Sequence, residues 1–350
     1  MMIPTLKEHL QRYPQMQGQD IIKLTYQNEF GCEHMVSDSQ KSLQRIIDES
    51  GELSKQKIRV EPIGNNLARL YFGQLTRIEA YTIHQLFVWT AHTYQGNTDA
   101  FIQKLQECKN WLNNPKISQE IDQYLSNGIQ AVRHSSHYHE EYDPHYRVIR
   151  ADLAFCYPLF LKINQLQSKK KTLLIAIDGK CGSGKTTLAS LLNEVYQGNI
   201  FHMDDFFLQP HQRSAQRLSK PGENVDHERF LKEVLEPLSQ QKEIIYQPFN
   251  CSIMQLSDQM TTIPFHAISF IEGTYSLHPD LIDYYDLKIV TTIDDETQME
   301  RILKRNGPDL AKKFEDIWIP LENNYFNQLD IFSKADILCS TKNNHVDILP

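Results

Sequence analysis

The stretch Leu173-Leu-Ile-Ala-Ile-Asp178-Gly179-Lys180-Cys181-Gly182-Ser183-Gly184-Lys185-Thr186-Thr187 runs from five apolar residues into a glycine-rich turn and then into a helix-forming segment. The apolar run suits a strand buried on both faces of a parallel sheet. After the turn, Leu188, Leu191, Leu192 and Val195 recur at the spacing of one helix face. Between the two lies Gly-x-x-x-x-Gly-Lys-Thr, a pattern specific for phosphate binding when a strand precedes it and a helix follows. The glycines let backbone N–H groups turn inward around phosphate oxygens, and the helix N-terminus adds its positive end. On this reading residues 179–187 cradle a nucleotide, Lys185 reaches its terminal phosphates and the Thr186 hydroxyl holds Mg²⁺. A guanine-reading Asn-Lys-x-Asp motif is absent, which favours ATP.

The rest of the C-terminal half alternates strands and helices. Strands are expected at Asn199–His202, 267–271, Leu287–Thr292 and 336–339, with helices at 227–238 and 296–305. This predicts an α/β fold, a doubly wound parallel sheet with helices on both faces. The polar segment 165–172 separates this half from what precedes it. The expected domains are therefore 1–168, an α+β domain of unknown role, and 169–350, the phosphate-loop domain.

At the end of the second expected strand stands His202-Met-Asp204-Asp205-Phe206-Phe207. In a doubly wound sheet this strand end lies beside the phosphate loop. One carboxylate can take the proton of an acceptor hydroxyl and the other can bind metal or substrate; as turn or cap residues they have an equally ordinary use.

Several ordered motifs of residues 172–340 resemble the uridine kinase family, within the P-loop kinases that include phosphoribulokinase and nicotinamide riboside kinase. Asp204 matches the family's catalytic base, and the string Asp204-Asp205-Phe206-Phe207 is most similar to the nicotinamide riboside kinase version. Glu272-Gly273-Thr274-Tyr275 resembles the Glu-Gly motif, which implies that Glu272 organises Mg²⁺. Asp226-His227-Glu228-Arg229-Phe230 and Tyr246-Gln-Pro-Phe-Asn250 resemble segments lining the acceptor site. The resemblance implies Asp205, Phe206, Arg229, Tyr246 and Tyr275 as acceptor contacts. Arg301-Ile-Leu-Lys-Arg305 resembles the family's arginine lid; guanidinium groups keep their charge and bind phosphate oxygens in pairs. Asn306 and Asn250 stand where aspartate is common in the family. The implied activity is therefore ATP- and Mg²⁺-dependent phosphorylation of a hydroxyl on a small metabolite, a nucleoside foremost, with sugars and vitamin-like compounds open. The rival reading is an ATP-dependent sensor in which this domain switches the N-terminal one. The aromatic stretch Trp318–Phe326 reads mainly as packing against the sheet, with a substrate contact by Glu322 or Tyr325 left open.

The N-terminal half resembles no family. His34 and Asp38 are four residues apart, a spacing that shares a helix face. Four of the fourteen histidines fall between His134 and His145, followed by Arg147. That cluster reads as a hydrogen-bonded polar loop, an anion site or a metal site; standard zinc spacing is absent. Helices are expected at 38–48, 82–94, 98–112 and 149–163, and strand character over 60–71 broken by Gly64-Asn65-Asn66.

A formal net charge of -8 argues against nucleic acid as a main partner. The N-terminal residues Lys7, Glu8, His9 and Arg12 interrupt any signal-like apolar run, and no stretch reads as membrane-spanning. The six cysteines form no CxxC pair. A cytoplasmic location is expected, with homo-oligomerisation left open.

Overall fold

The computed structural model describes residues 2–32, 38–340 and 345–349. The chain forms two compact units, Met1–Tyr157 and Pro158–Pro350.

In the first unit, helices surround a three-stranded antiparallel sheet of β1 (Arg59–Gly64), β2 (Leu67–Tyr71) and β3 (Tyr146–Arg150), in that order. Asn65 and Asn66 turn β1 into β2 with φ of 56° and 55°, which asparagine tolerates better than most residues. Asp38 caps helix Ser39–Gly51 by accepting the Lys41 N–H. Helix Arg77–Thr93 begins five residues before its expected start, because Thr76 and Glu79 form a capping box. Helix Thr98–Leu112 starts behind Asn97, which accepts from Ala100. Ile22, Phe101, Leu105 and Ile121 form one helical core cluster. The expectation for 149–163 needs correction: its first residues belong to β3, and helices Ala151–Phe155 and Tyr157–Gln167 follow. An apolar run does not distinguish a strand end from a helix when the deciding contact is pairing with distant β2. His34 lies outside the described residues.

β1 carries a buried carboxylate, Glu61, with 1% exposure. It accepts from Tyr13 and Arg12, each at 2.6 Å, and from Arg59 at 2.7 Å. Burial alone would raise its pKa; the Tyr13 hydrogen bond and neighbouring positive groups win and hold it near 2.

In the second unit a six-stranded sheet has the order β13-β12-β11-β4-β10-β5. Its strands are β4 (Leu173–Gly179), β5 (Asn199–His202), β10 (Ile268–Glu272), β11 (Leu287–Thr292), β12 (Ile337–Ser340) and β13 (His345–Ile348). The first five run parallel and β13 is an antiparallel edge. Two small antiparallel pairs, β6 (Ile244–Tyr246) with β9 (Thr261–Ile263) and β7 (Phe249–Asn250) with β8 (Gln255–Leu256), lie outside it. Helix Lys185–Tyr196 covers β4, β5 and β10. Ala176, Phe201, Ile271 and Val290 join a separate core with Phe230, Val234, Tyr325 and Phe326. Ile175 and Ile177 alternate with Ala176 along β4, and all three are fully buried. Helices thus flank the sheet, and the fold is the expected doubly wound α/β type.

The unit starts before the polar segment at 168. Tyr196 donates to the Phe160 carbonyl at 3.2 Å and Asn164 Oδ1 at 3.0 Å, tying helix Tyr157–Gln167 to this unit. The expected helix 227–238 is divided into His227–Phe230, a wider turn at Leu231–Leu235, and Glu236–Ser239. No helix among the described residues is long and apolar enough to cross a membrane.

Candidate active site

The loop after β4 turns through Gly179, Gly182 and Gly184, with φ of 150°, 75° and 95°. A Cβ on Gly179 would lie 2.1 Å from Thr291 Oγ1, so close strand packing as well as φ requires glycine there. The loop is braced from several elements. Ser183 and Thr291 share a 2.5 Å hydroxyl hydrogen bond. Asp178 accepts from Gly179 N–H at 2.6 Å, Leu277 N–H at 2.9 Å and the Tyr325 hydroxyl at 2.7 Å. Burial raises the Asp178 pKa to about 6 against those donors.

Lys185 is 9% exposed, and its Nζ donates to the carbonyls of Gly179 at 2.7 Å and Lys180 at 3.1 Å. It also reaches Thr274 Oγ1 at 3.2 Å. The amine is thereby folded back along the loop's inner edge, and its hydrogen-bond partners among the described residues are neutral oxygens. Thr186 Oγ1 lies 3.2 Å from each Glu272 carboxylate oxygen. Glu272 ends β10 beside β5 and also meets His202 Nδ1 at 2.5 Å. That hydrogen bond raises the His202 pKa. Hydroxyl and carboxylate oxygens are the donors Mg²⁺ prefers, so Thr186 and Glu272 fit such an ion.

Asp204 and Asp205 follow β5 directly, in the turn Met203–Phe206. Asp204 has solvent access, yet protein surrounds it closely: desolvation raises its pKa, with Lys185 opposing and Glu272 adding to the rise. Asp205 instead accepts from the Tyr246 hydroxyl at 3.0 Å. Arg229 donates to the Asp205 carbonyl at 2.8 Å and the Gln247 carbonyl at 2.7 Å, and its guanidinium stacks 4.2 Å from the Phe206 ring centre. Asp205, Arg229 and Tyr246 therefore come together. Phe206 and Tyr275 are buried at 0% and 4%: Phe206 packs edge-on against Phe230, and Tyr275 against Tyr325. Both belong to the hydrophobic core of this unit.

The two arginines expected to form a lid separate. Arg301 Nη1 donates to the Gly182 carbonyl at 2.9 Å, on the loop itself. Arg305 is exposed, donates to Asn306 Oδ1 at 2.8 Å and lies 5.9 Å from the Phe314 ring centre.

Glu322, open in the sequence as a substrate contact, lies against the phosphate loop itself. Its carboxylate is 5% exposed and accepts the Cys181 N–H at 3.0 and 3.1 Å. Thr274 Oγ1 and Gln298 Nε2 lie at 3.4 and 3.5 Å. A carboxylate thus sits on one of the loop amides that would otherwise face a phosphate. Burial raises its pKa, and Lys185 opposes the rise. Gln298 also donates to the Cys181 carbonyl at 3.0 Å. Burial, then Glu322, push the Cys181 thiol up to about 12.

The histidines of 134–145 diverge. His134 is buried between Asp20 at 2.9 Å and the Tyr146 hydroxyl at 2.7 Å, stacked on Tyr138. His145 lies between Glu49 at 2.8 Å and Asp143 at 3.0 Å, and Arg147 pairs with Glu49 at 2.8 Å. Their geometry is that of separately satisfied side chains.

No family model matches the chain. A curated relative, the tRNA-specific adenosine deaminase subunit tad2 of Schizosaccharomyces pombe, is 31% identical over 186 residues, 50% of this chain. The chain spans about half, 45%, of that relative's length. Among solved structures, the chain is similar to one described as a possible uridine kinase from Bacillus stearothermophilus: TM-score 0.39, 17% identity, 51% of this chain and 94% of that one. It is also similar to D-glycerate 3-kinase from Cryptococcus neoformans: TM-score 0.37, 14% identity, 51% and 90%.

Proposed function

We propose that the second unit is a Mg²⁺- and ATP-dependent phosphotransferase acting on a hydroxyl of a small metabolite, uridine kinase-like, with nucleosides the leading acceptors. The observation that carries the reading is the convergence of Lys185, Thr186 and Glu272 at 3.2 Å or closer to loop or partner oxygens, with Asp204 on the adjoining strand end. Lys185 turns from the loop carbonyls to the terminal phosphates. Mg²⁺, held by Thr186 and organised by Glu272, would supply charge neutralisation at the phosphates. Asp204 accepts the proton of the acceptor hydroxyl; a carboxylate is basic enough because phosphoryl transfer depends mostly on position and charge. Asp205, fixed by Tyr246, and Arg229 shape the acceptor side. Arg301, already on the loop, counters charge developing on the transferred group. Arg305 joins it only after the segment beyond Arg301 moves inward.

The test is ADP release by the full chain over a panel of nucleosides, sugars, glycerate-like acids and pantothenate-like alcohols. Stimulation by one acceptor class supports the proposal. Slow ADP release that no acceptor changes would favour the nucleotide-sensor reading instead.

A further inference from the structure

β5 and β10 end side by side, and their last residues touch. His202 and Glu272 are partners in the register of these two parallel strands, so their side chains rise on one face of the sheet. The strand ends can close up because Gly273 follows Glu272. A Cβ there would stand 2.6 Å from Met203 Cβ, and its φ of 141° suits glycine. His202 Nδ1 meets Glu272 Oε1 at 2.5 Å. The acceptor is a carboxylate, so the proton of this bond belongs to Nδ1.

Glu272 is 6% exposed, and among the described residues its hydrogen-bond partners are Thr186 and His202. Thr186 Oγ1 stands 3.2 Å from both carboxylate oxygens and has one proton to give to either. The short bond, from His202, falls on Oε1 and leaves Oε2 with the Thr186 hydroxyl alone. An oxygen beside that hydroxyl is what a hard cation, or a water on it, requires. The His202 side chain is 44% exposed. Core packing therefore does not account for the ring, and truncating it opens no buried cavity.

We propose that His202 is a positioning residue for the divalent cation: its Nδ1–H holds Glu272 Oε1 and so turns Oε2 toward the ion at Thr186. The role rests on the reading of Thr186 and Glu272 as the Mg²⁺ residues. Without His202 the carboxylate keeps only the longer Thr186 contacts and is free to rotate. Groups that orient a metal's ligands are typically worth about 10–100-fold in metal affinity. The bond also fixes which substitute can replace the ring. The Nδ2–H of asparagine reaches the place of the imidazole Nδ1–H, whereas the Nε2–H of glutamine reaches that of the other ring nitrogen.

The test uses Mn²⁺ as the probe. Its affinity for the full chain saturated with ADP is read from loss of the free Mn²⁺ signal in electron paramagnetic resonance, with thermal melting as the control for folding. His202→Ala should weaken Mn²⁺ binding at least ~10-fold, while ADP affinity without divalent cation stays within about twofold. His202→Asn should recover Mn²⁺ affinity to within about threefold of the parent, and His202→Gln should bind as weakly as His202→Ala. Parent-like or tighter Mn²⁺ binding by His202→Ala, with Glu272→Gln still weakened, would overturn the assignment; tighter binding would make the imidazole a competitor for the carboxylate. If Glu272→Gln itself binds Mn²⁺ like the parent, the placing of Glu272 at the cation falls, and the role of His202 with it. Should His202→Ala fail to fold, His202→Asn against His202→Gln still decides: equal affinities in those two would overturn the proposal.

Discussion

Replacing Glu322 with glutamine leaves an oxygen that can accept the Cys181 N–H but removes the charge that competes with a phosphate for it. In the parent the amide is engaged at 3.0 and 3.1 Å by a buried carboxylate. A hydrogen bond to a charged group contributes about 1.5–3 kcal/mol and a neutral one about 0.5–1.5. Exchanging one for the other therefore lowers the cost of freeing the amide by about 1.2 kcal/mol, which is approaching tenfold in affinity. Glu322→Gln should bind ATP about tenfold more tightly by titration calorimetry, with unchanged thermal melting as the control for folding. The pH dependence carries the same sign. Burial raises the Glu322 pKa, so acidification neutralises it early. The affinity gap between parent and variant should narrow as pH falls, while titration of ATP itself affects both alike. Weaker or unchanged ATP binding in a folded Glu322→Gln protein would refute the competition and make Glu322 a support of the loop's binding shape.

Three further outcomes are expected. Asp204→Asn should keep ATP affinity within about threefold while lowering turnover by roughly 10²-fold or more in steady-state kinetics; unchanged turnover removes Asp204 from the base role. Arg301→Ala should reduce turnover more than Arg305→Ala does, since only Arg301 touches the loop; the reverse order would mean that Arg305 carries the lid alone. In the first unit, the low pKa of Glu61 stabilises the fold above its ordinary value of 4.5, and this is lost as pH falls toward 2. The stability gap between parent and Glu61→Gln, read by hydrogen exchange of β1 and β2 amides, should shrink by roughly 3 kcal/mol across that window; a gap independent of pH would contradict it.

What could be read from the sequence was what short-range spacing encodes. The strand, loop and helix of 173–196 are contiguous, so apolar runs and glycines suffice to place them. Asp38, Thr76 and Asn97 act within three residues of themselves, and the first helix boundary was legible for that reason. The rest depends on distance in sequence. Glu322 meets Cys181 across 141 residues, and Tyr325 meets Asp178 across 147. No local pattern marks a glutamate among aromatics as a partner of the loop. His227 and His278 likewise come from segments that only the fold brings together. The crowded histidines at 134–145 read first as a hydrogen-bonded polar loop, and His134 and His145 do face different partners. The strand misread within 149–163 pairs with β2, some eighty residues earlier.

On the proposed function, the second unit moves the γ-phosphate of ATP onto a small hydroxyl compound. The most direct measurement incubates the full chain with γ-labelled ATP, Mg²⁺ and the stimulating acceptor class, and follows where the label goes. A labelled phosphomonoester is expected with the parent protein, reduced roughly 10²-fold with Asp204→Asn. Label appearing only as inorganic phosphate, at a rate that neither acceptor nor Asp204→Asn changes, would contradict it.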